Sequence, residues 1–391
     1  MPLLPHIGSL LARLDQRPEL PYRNRLTQGE LSMFRRQDFA TVIPKDIPAV
    51  RYVRTAGNTA DTMYWGRSPA DLDREVSLWS EVMATFGVGR NMRGVVALPN
   101  GDIAQAMSRA GEILGCGMLV VGEYDIPDAI EMLRPEVVAV SPLVAMRLHL
   151  RNLLGSVRCL ILTSDVSGTG ALQRQLTEYY PDMLTREVYT LTEHAGPLAV
   201  GCDHGALHWT ADGVAVELIH PGRGDEARVG EVANVVLTDL GERAMPLLRY
   251  NTEDLVRVMA GPCACGNDSP VLSSLLLGRL GRTRALSGRV IFPADLAAIL
   301  FSMSTIMDRF KAVVRSDRGL DRDQLDIQVA LMPGADEHRV RHLLLERVLD
   351  RTGIVANIII SRPTAIEPVL QVYVQEFRAV APDPVPYMSS V

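Results

Sequence analysis

The feature that most constrains the fold is a run of short apolar segments alternating with helical ones between residues 94 and 162. Gly94-Val95-Val96-Ala97-Leu98 reads as a buried strand that ends at Pro99-Asn100-Gly101-Asp102. Residues 103–114 carry alanines and larger apolar residues at helical spacing, and Gly115-Cys116-Gly117 stops them. Residues 118–121, 137–140 and 160–162 read as further strands, with a helix over 128–133. Such alternation predicts a largely parallel sheet with helices on both faces. Loops at strand ends are where open sheets of this class hold ligands. Further upstream, Ser68 is placed to cap a helix running to about Phe86, with Trp79 on its apolar side.

At 391 residues the chain suits two or three domains, and a hydrophobic share of 47% suffices for a core. Lys+Arg of 40 against Asp+Glu of 46 gives a net charge of −6 with no basic block, which argues against nucleic acid as a main partner. Only two basic residues, Lys45 and Lys311, are lysines. No apolar run reaches the roughly 18 residues that span a bilayer, so no membrane partner is expected. The first residues lack the charged-then-apolar pattern of a signal peptide. Five cysteines, an odd number at low density, fit a reducing cytoplasm. Cys116 and Cys159 lie beside apolar runs and read as small core residues.

Chemistry gathers around Tyr189-Thr190-Leu191-Thr192-Glu193-His194-Ala195-Gly196-Pro197, which follows a strand-like Arg186-Glu187-Val188. Arg249-Tyr250-Asn251-Thr252-Glu253-Asp254-Leu255, Gly278-Arg279 and Gly288-Arg289-Val290-Ile291-Phe292-Pro293 come next, in that order. The ordered series resembles the acyl-adenylate-forming superfamily, in its phenylacetate–CoA ligase and coenzyme F390 synthetase-like branch. Ala244-Met245-Pro246-Leu247-Leu248-Arg249-Tyr250 and the early Pro21-Tyr22-Arg23 add to the likeness, which is strongest between Tyr189 and Pro293.

The resemblance implies an α/β fold: a large adenylate-forming domain over 1–280 and a small, mobile, ferredoxin-like α+β domain over 281–391. It implies activation of a carboxylic acid (aryl or amino acid among the candidates) with ATP and Mg²⁺ to an acyl-adenylate. The acyl group then passes to an acceptor: coenzyme A, a carrier protein or an amine. A homodimer is compatible with these partners. By position, Glu193 would ligate Mg²⁺, Tyr189 and Thr192 would lie near the nucleotide, Asp254 would hold the ribose, and Arg279 would reach the ribose or phosphate. A surface ion pair of Asp254 with Arg249 or Arg257 is the plain alternative. Ser164 and Asp165 stand where the family has its adenine turn. Pro99, Asn100, Gly101, Ser141 and Pro142 would line the acyl pocket.

The phosphate loop of the family corresponds to Arg54-Thr55-Ala56-Gly57-Asn58-Thr59-Ala60. Small residues let backbone N–H groups converge on phosphate oxygens. Thr55, Gly57 and Thr59 match; Ala56, Asn58 and Ala60 do not, so the loop loses hydroxyl donors and its last glycine, and Asn58 is assigned to it by position alone. The family's C-terminal lysine is absent from the matching stretch, 371–380, where Arg378 is the one cation. Leu280-Gly281-Arg282 replaces the hinge carboxylate. These losses keep a second reading open, a catalytically degenerate nucleotide- or acyl-binding homologue acting as a subunit or regulator.

Cys202, then His204 and His208, then Cys263-Ala264-Cys265-Gly266 form two clusters of soft ligands. Two close groups separated by a long loop are normal for structural zinc, and the glycine lets the Cys-x-Cys turn close. Cys202, His208, Cys263 and Cys265 are the preferred set, which some members of the family share.

Overall fold

The computed structural model describes residues 34–35, 49–54, 64–163, 169–209, 213–241, 243–247, 249–267, 269, 272–286, 289–317 and 322–363. Its elements are β1 (Phe34–Arg35), β2 (Arg51–Arg54), β3 (Tyr64–Arg67), α1 (Pro69–Thr85), β4 (Arg93–Ala97), α2 (Gly101–Ile113), β5 (Gly117–Val120), α3 (Ile126–Leu133), β6 (Val137–Val140), α4 (Pro142–Leu150), β7 (Cys159–Leu162), α5 (Thr169–Tyr179) and β8 (Leu184–Thr190). A β-rich stretch follows: β9 (Pro197–Gly201), β10 (Ala206–Trp209), β11 (Val214–Ile219), β12 (Val232–Asp239), β13 (Tyr250–Arg257), β14 (Leu272–Ser274), β15 (Gly278–Arg279), β16 (Arg284–Leu286) and β17 (Arg289–Ile291). The last part holds α6 (Pro293–Phe301), β18 (Ile306–Asp317), β19 (Arg322–Leu331), α7 (Glu337–Thr352) and β20 (Ala356–Ile360).

The alternating segments form one sheet in the order β14-β10-β9-β8-β7-β6-β4-β5. Strands β8, β7, β6, β4 and β5 run parallel, as the alternation predicts, and β9, β10 and β14 extend the sheet antiparallel. The chain moves outward from β4 to β5, then returns to place β6 on the other side of β4. The carboxyl ends of β4 and β6 therefore flank a topological switch point, where such sheets open a crevice. A second sheet, β1-β13-β12-β11 with β15 on β13, carries Tyr250 to Arg257 beside the first.

Local signals explain the helix starts. Ser68 caps α1 through a reciprocal box with Asp71, and Trp79 is fully buried on its inner face. Asn100 caps α2, its side-chain oxygen accepting from the backbone N–H groups of Asp102 and Ile103. Ser141 caps α4, with Pro142 in the first turn, where its missing N–H has no consequence.

Cys116 and Cys159 are buried in an apolar cluster, as expected, and burial pushes their thiols up to about 11 and about 12. The last sheet, β18-β19-β20, has β20 parallel to β19 after α7. Its inner face shares one apolar core with the large sheet's helices: Leu172 and Leu176 of α5 belong to the same cluster as Leu296, Leu300 and Phe301 of α6 and Phe310 of β18. No helix among the described residues is long and apolar enough to cross a membrane.

Candidate active site and metal centre

The loop after β8 is held on every side. Arg67, at the end of β3, donates from Nη2 to the Thr192 carbonyl at 2.5 Å. Asn100 donates from Nδ2 to the Thr192 hydroxyl at 2.6 Å, so the residue that caps α2 also fixes the loop. Trp79 of α1 donates its indole N–H to the Ala195 carbonyl at 2.8 Å. Ala195 has φ +58°, a left-handed conformation that a non-glycine residue adopts only when its surroundings impose it. Tyr250 of β13 donates its phenol to Glu193 at 2.8 Å.

Below the loop lies a buried ionic cluster. Arg67 Nε is 2.5 Å from Glu75 Oε1, and both side chains are almost fully buried. Arg243 pairs with Asp239 at 3.0 Å, lies 3.8 Å from Asp71, and donates from Nη2 to His194 Nε2 at 2.7 Å. An arginine can only donate, so His194 carries its proton on Nδ1 and donates it to the Gly196 carbonyl at 3.2 Å. Burial, then the Arg243 charge, hold the imidazole well below its usual range, so it is neutral. Burial pushes Glu75 up to about 7 against the pull of Arg67 and Arg243.

A second cluster stands beside the first. The Tyr189 phenol donates to Asp254 Oδ2 at 2.8 Å, and Arg279 Nε donates to Asp254 Oδ1 at 3.0 Å. Burial, then the Asp254 charge, raise Tyr189 well above the usual phenol range. The Tyr189 ring packs edge-on to Trp209, with centroids 5.4 Å apart. Asp254 is buried and bonded to Arg279; Arg249 instead makes a buried pair with Glu217 at 2.8 Å. Asp254 thus lies in the interior, not at the surface.

These bonds join Tyr189, Asp254 and Arg279 to one another; Thr192 and Glu193, in the loop that follows Tyr189, are held instead by Asn100 and Arg67 and by Tyr250. Pro99, Asn100 and Gly101 follow β4, and Ser141 and Pro142 follow β6, on the two sides of the switch point. Ser141 and Pro142 are buried; Pro99 and Gly101 are exposed. Thr55, Gly57, Asn58, Thr59, Ser164, Asp165 and the 371–380 stretch lie outside the described residues.

The soft-ligand residues converge. The ligand atoms of Cys202, His208, Cys263 and Cys265 all lie within 4.8 Å of one another. The Cys202–Cys263 sulfur separation is 3.8 Å, and Cys265 Sγ is 3.2 Å from His208 Nε2. Tetrahedral zinc with Zn–S near 2.3 Å sets its sulfurs about 3.8 Å apart, so this spacing suits such an ion. Both knuckles close in the same way: Gly205 N–H bonds the Cys202 carbonyl and Gly266 N–H the Cys263 carbonyl, each glycine at positive φ. Burial raises the Cys202 thiol, while a hydrogen bond from the Cys265 backbone lowers that of Cys263. His208 Nδ1 is buried without a partner, unlike most metal-bound imidazoles, whose second nitrogen donates.

Sequence reasoning missed Arg67, Glu75, Asp71, Asp239 and Arg243. They are dispersed across β3, α1, β12 and the turn after it, and a lone arginine or carboxylate carries no spacing signal. The Ser68-x-x-Asp71 box was the one available hint that this segment is fixed in place.

No protein-family model matches the chain. It is 30% identical over 210 residues to a phenylacetate–coenzyme A ligase of Thermus thermophilus, covering 51% of this chain and 47% of that protein. The matched stretch thus spans about half the length of that relative. The phenylacetate–coenzyme A ligase of Escherichia coli is 23% identical over 362 residues, 83% of this chain and 79% of the relative. Among solved structures, 2-hydroxyisobutyryl-CoA ligase in the postadenylation state, in complex with 2-HIB-AMP, matches 97% of this chain and 91% of its own at a TM-score of 0.77 and 16% identity. An anthranilate CoA ligase in complex with anthranoyl-AMP matches at 0.60 and 14% identity, over 79% of this chain and 63% of its own. The chain therefore has the α/β fold of the acyl-CoA ligases. Its sequence relatives lie in the branch indicated by the Tyr189–Pro293 motifs.

Proposed function

We propose that this chain is an AMP-forming acid ligase of the phenylacetate–CoA ligase type, with a small carboxylic acid as substrate and coenzyme A or another thiol or amine as acceptor. The observation that carries the proposal is the pairing of two motifs at the carboxyl edge of the parallel strands: Tyr189 with Asp254, and Glu193 with Tyr250. Asp254 holds the ribose hydroxyls, and Tyr189 and Arg279 orient its carboxylate. Glu193 holds Mg²⁺, which neutralises charge on the phosphates when bound. Phosphate binding is assigned to Thr55, Gly57, Asn58 and Thr59, and adenine binding to Ser164 and Asp165, by their place in the sequence. The crevice between the ends of β4 and β6 takes the acid. The segment beyond residue 280 acts as the family's second unit. A structural Zn²⁺ on Cys202, His208, Cys263 and Cys265 ties the β9–β10 turn to the 263–266 turn.

Adenylation is slow in this proposal, because no lysine occupies the 371–380 stretch. Loss of one preorganised electrostatic donor lowers rates about a hundred- to a thousandfold. Calorimetry with ATP, AMP and Mg²⁺, followed by pyrophosphate exchange over a panel of carboxylic acids, tests the assignment. Asp254→Ala should weaken AMP binding at least about tenfold, the loss expected when a charged hydrogen-bond partner is removed. Absence of adenine-nucleotide binding by the unmutated chain would overturn the ligase assignment. Binding without exchange for any acid would favour the degenerate homologue.

A further inference from the structure

We propose that Arg67 is a positioning residue for Glu193, holding the backbone of the metal-ligating loop from beneath through the Arg67–Glu75 pair. The metal role of Glu193 rests on the function proposed above; the backbone contact stands without it.

Arg67 is the last residue of β3, immediately before the Ser68 cap of α1. The capping box fixes the chain direction there, and Asp71 also accepts from the Ala244 N–H at 3.0 Å. The guanidinium cannot wander, because its Nε faces Glu75 at 2.5 Å inside the core. Its Nη2 then reaches the Thr192 carbonyl, one peptide before Glu193. With the Thr192 hydroxyl held by Asn100, the plane of the 192–193 peptide is determined, and so is the direction in which Glu193 leaves the backbone. A planar fork is what spans a carboxylate and a carbonyl at once; an ammonium is a single point. Of the neighbouring groups, Asp71 accepts from Ser68 and the Ala244 N–H, and Arg243 pairs with Asp239 and donates to the neutral His194. Arg67 is therefore the charged side chain of the cluster that bonds the Thr192 carbonyl. Groups that orient a metal ligand are worth about 10–100-fold in metal affinity or activity.

The test uses Arg67→Lys, which keeps a cation beside Glu75, and Glu75→Gln, which keeps volume and releases the arginine. Hydrogen exchange of the amides over 191–196 should accelerate in both variants, with the β4–β8 strands unchanged. The Mg²⁺ concentration for half-maximal ATP binding should rise about tenfold in Arg67→Lys. Metal-free AMP binding, which depends on Asp254, should not change. Unaltered loop exchange in both variants would overturn the proposal, as would AMP and Mg²⁺-ATP binding weakening equally. If the unmutated chain binds no nucleotide, the ligase assignment fails, and the exchange measurement alone decides the role of Arg67. If Arg67→Lys does not fold, Glu75→Gln carries the same comparison.

Discussion

Glu187 gives a sharp test of the electrostatics of this fold. It sits in β8, 4% exposed, with Oε2 lacking any hydrogen-bond partner. Burial alone pushes its carboxyl from an ordinary 4.5 up to about 8. The folded state therefore holds the proton more tightly than the unfolded chain. The sign follows from linkage: stability from this group is full below about 4.5, falls as pH rises, and is lost above about 8. At about 1.4 kcal/mol per unit, the whole shift amounts to on the order of 5 kcal/mol. Glu187→Gln keeps the shape and cannot ionise. Urea unfolding of parent and variant, from pH 5 to pH 9, should give a stability difference that grows with pH in favour of the variant and levels off above about 8. Parallel curves across that range would refute a protonated, partnerless Glu187.

Elemental analysis of protein purified without added metal should find one zinc per chain, and Cys263→Ser should lose it together with several degrees of Tm; metal-free protein would sink the site. Tyr250→Phe should weaken Mg²⁺-dependent ATP binding about tenfold or more while leaving the fold intact, since the ring stays against Trp65, with centroids 6.2 Å apart; equal loss of metal-free AMP binding would argue against it. Leu172→Ala, at a fully buried site of the shared core, should cost about 2–5 kcal/mol in denaturant unfolding.

The parallel sheet was legible because its strands are continuously apolar and its helices are punctuated by glycine and capping residues. Helix α6, Pro293–Phe301, begins on a proline, whose fixed backbone angle suits the first turn of a helix. The convergence of Cys202, His208, Cys263 and Cys265 was legible because soft ligands advertise themselves by residue type and spacing. The motif around Asp254 singled that residue out, but not its hydrogen-bond partner: Tyr189 lies 65 residues away in sequence, and only the pairing of two sheets brings the two together. The same holds for Arg67 and Thr192, which are 125 residues apart. Long-range polar pairing leaves no periodicity for a one-dimensional reading to find.

The core shared by α5, α6 and β18 bears on how the protein can be divided. Leu172 and Leu176 on one side, and Phe301 and Phe310 on the other, are shielded from water by each other's elements. A fragment ending near residue 280 would present the α5 side of that contact to solvent as a contiguous oily patch, the kind of surface that drives self-association. A fragment of the first 280 residues is thus expected to self-associate more readily than the longer chain, because the C-terminal segment covers that patch.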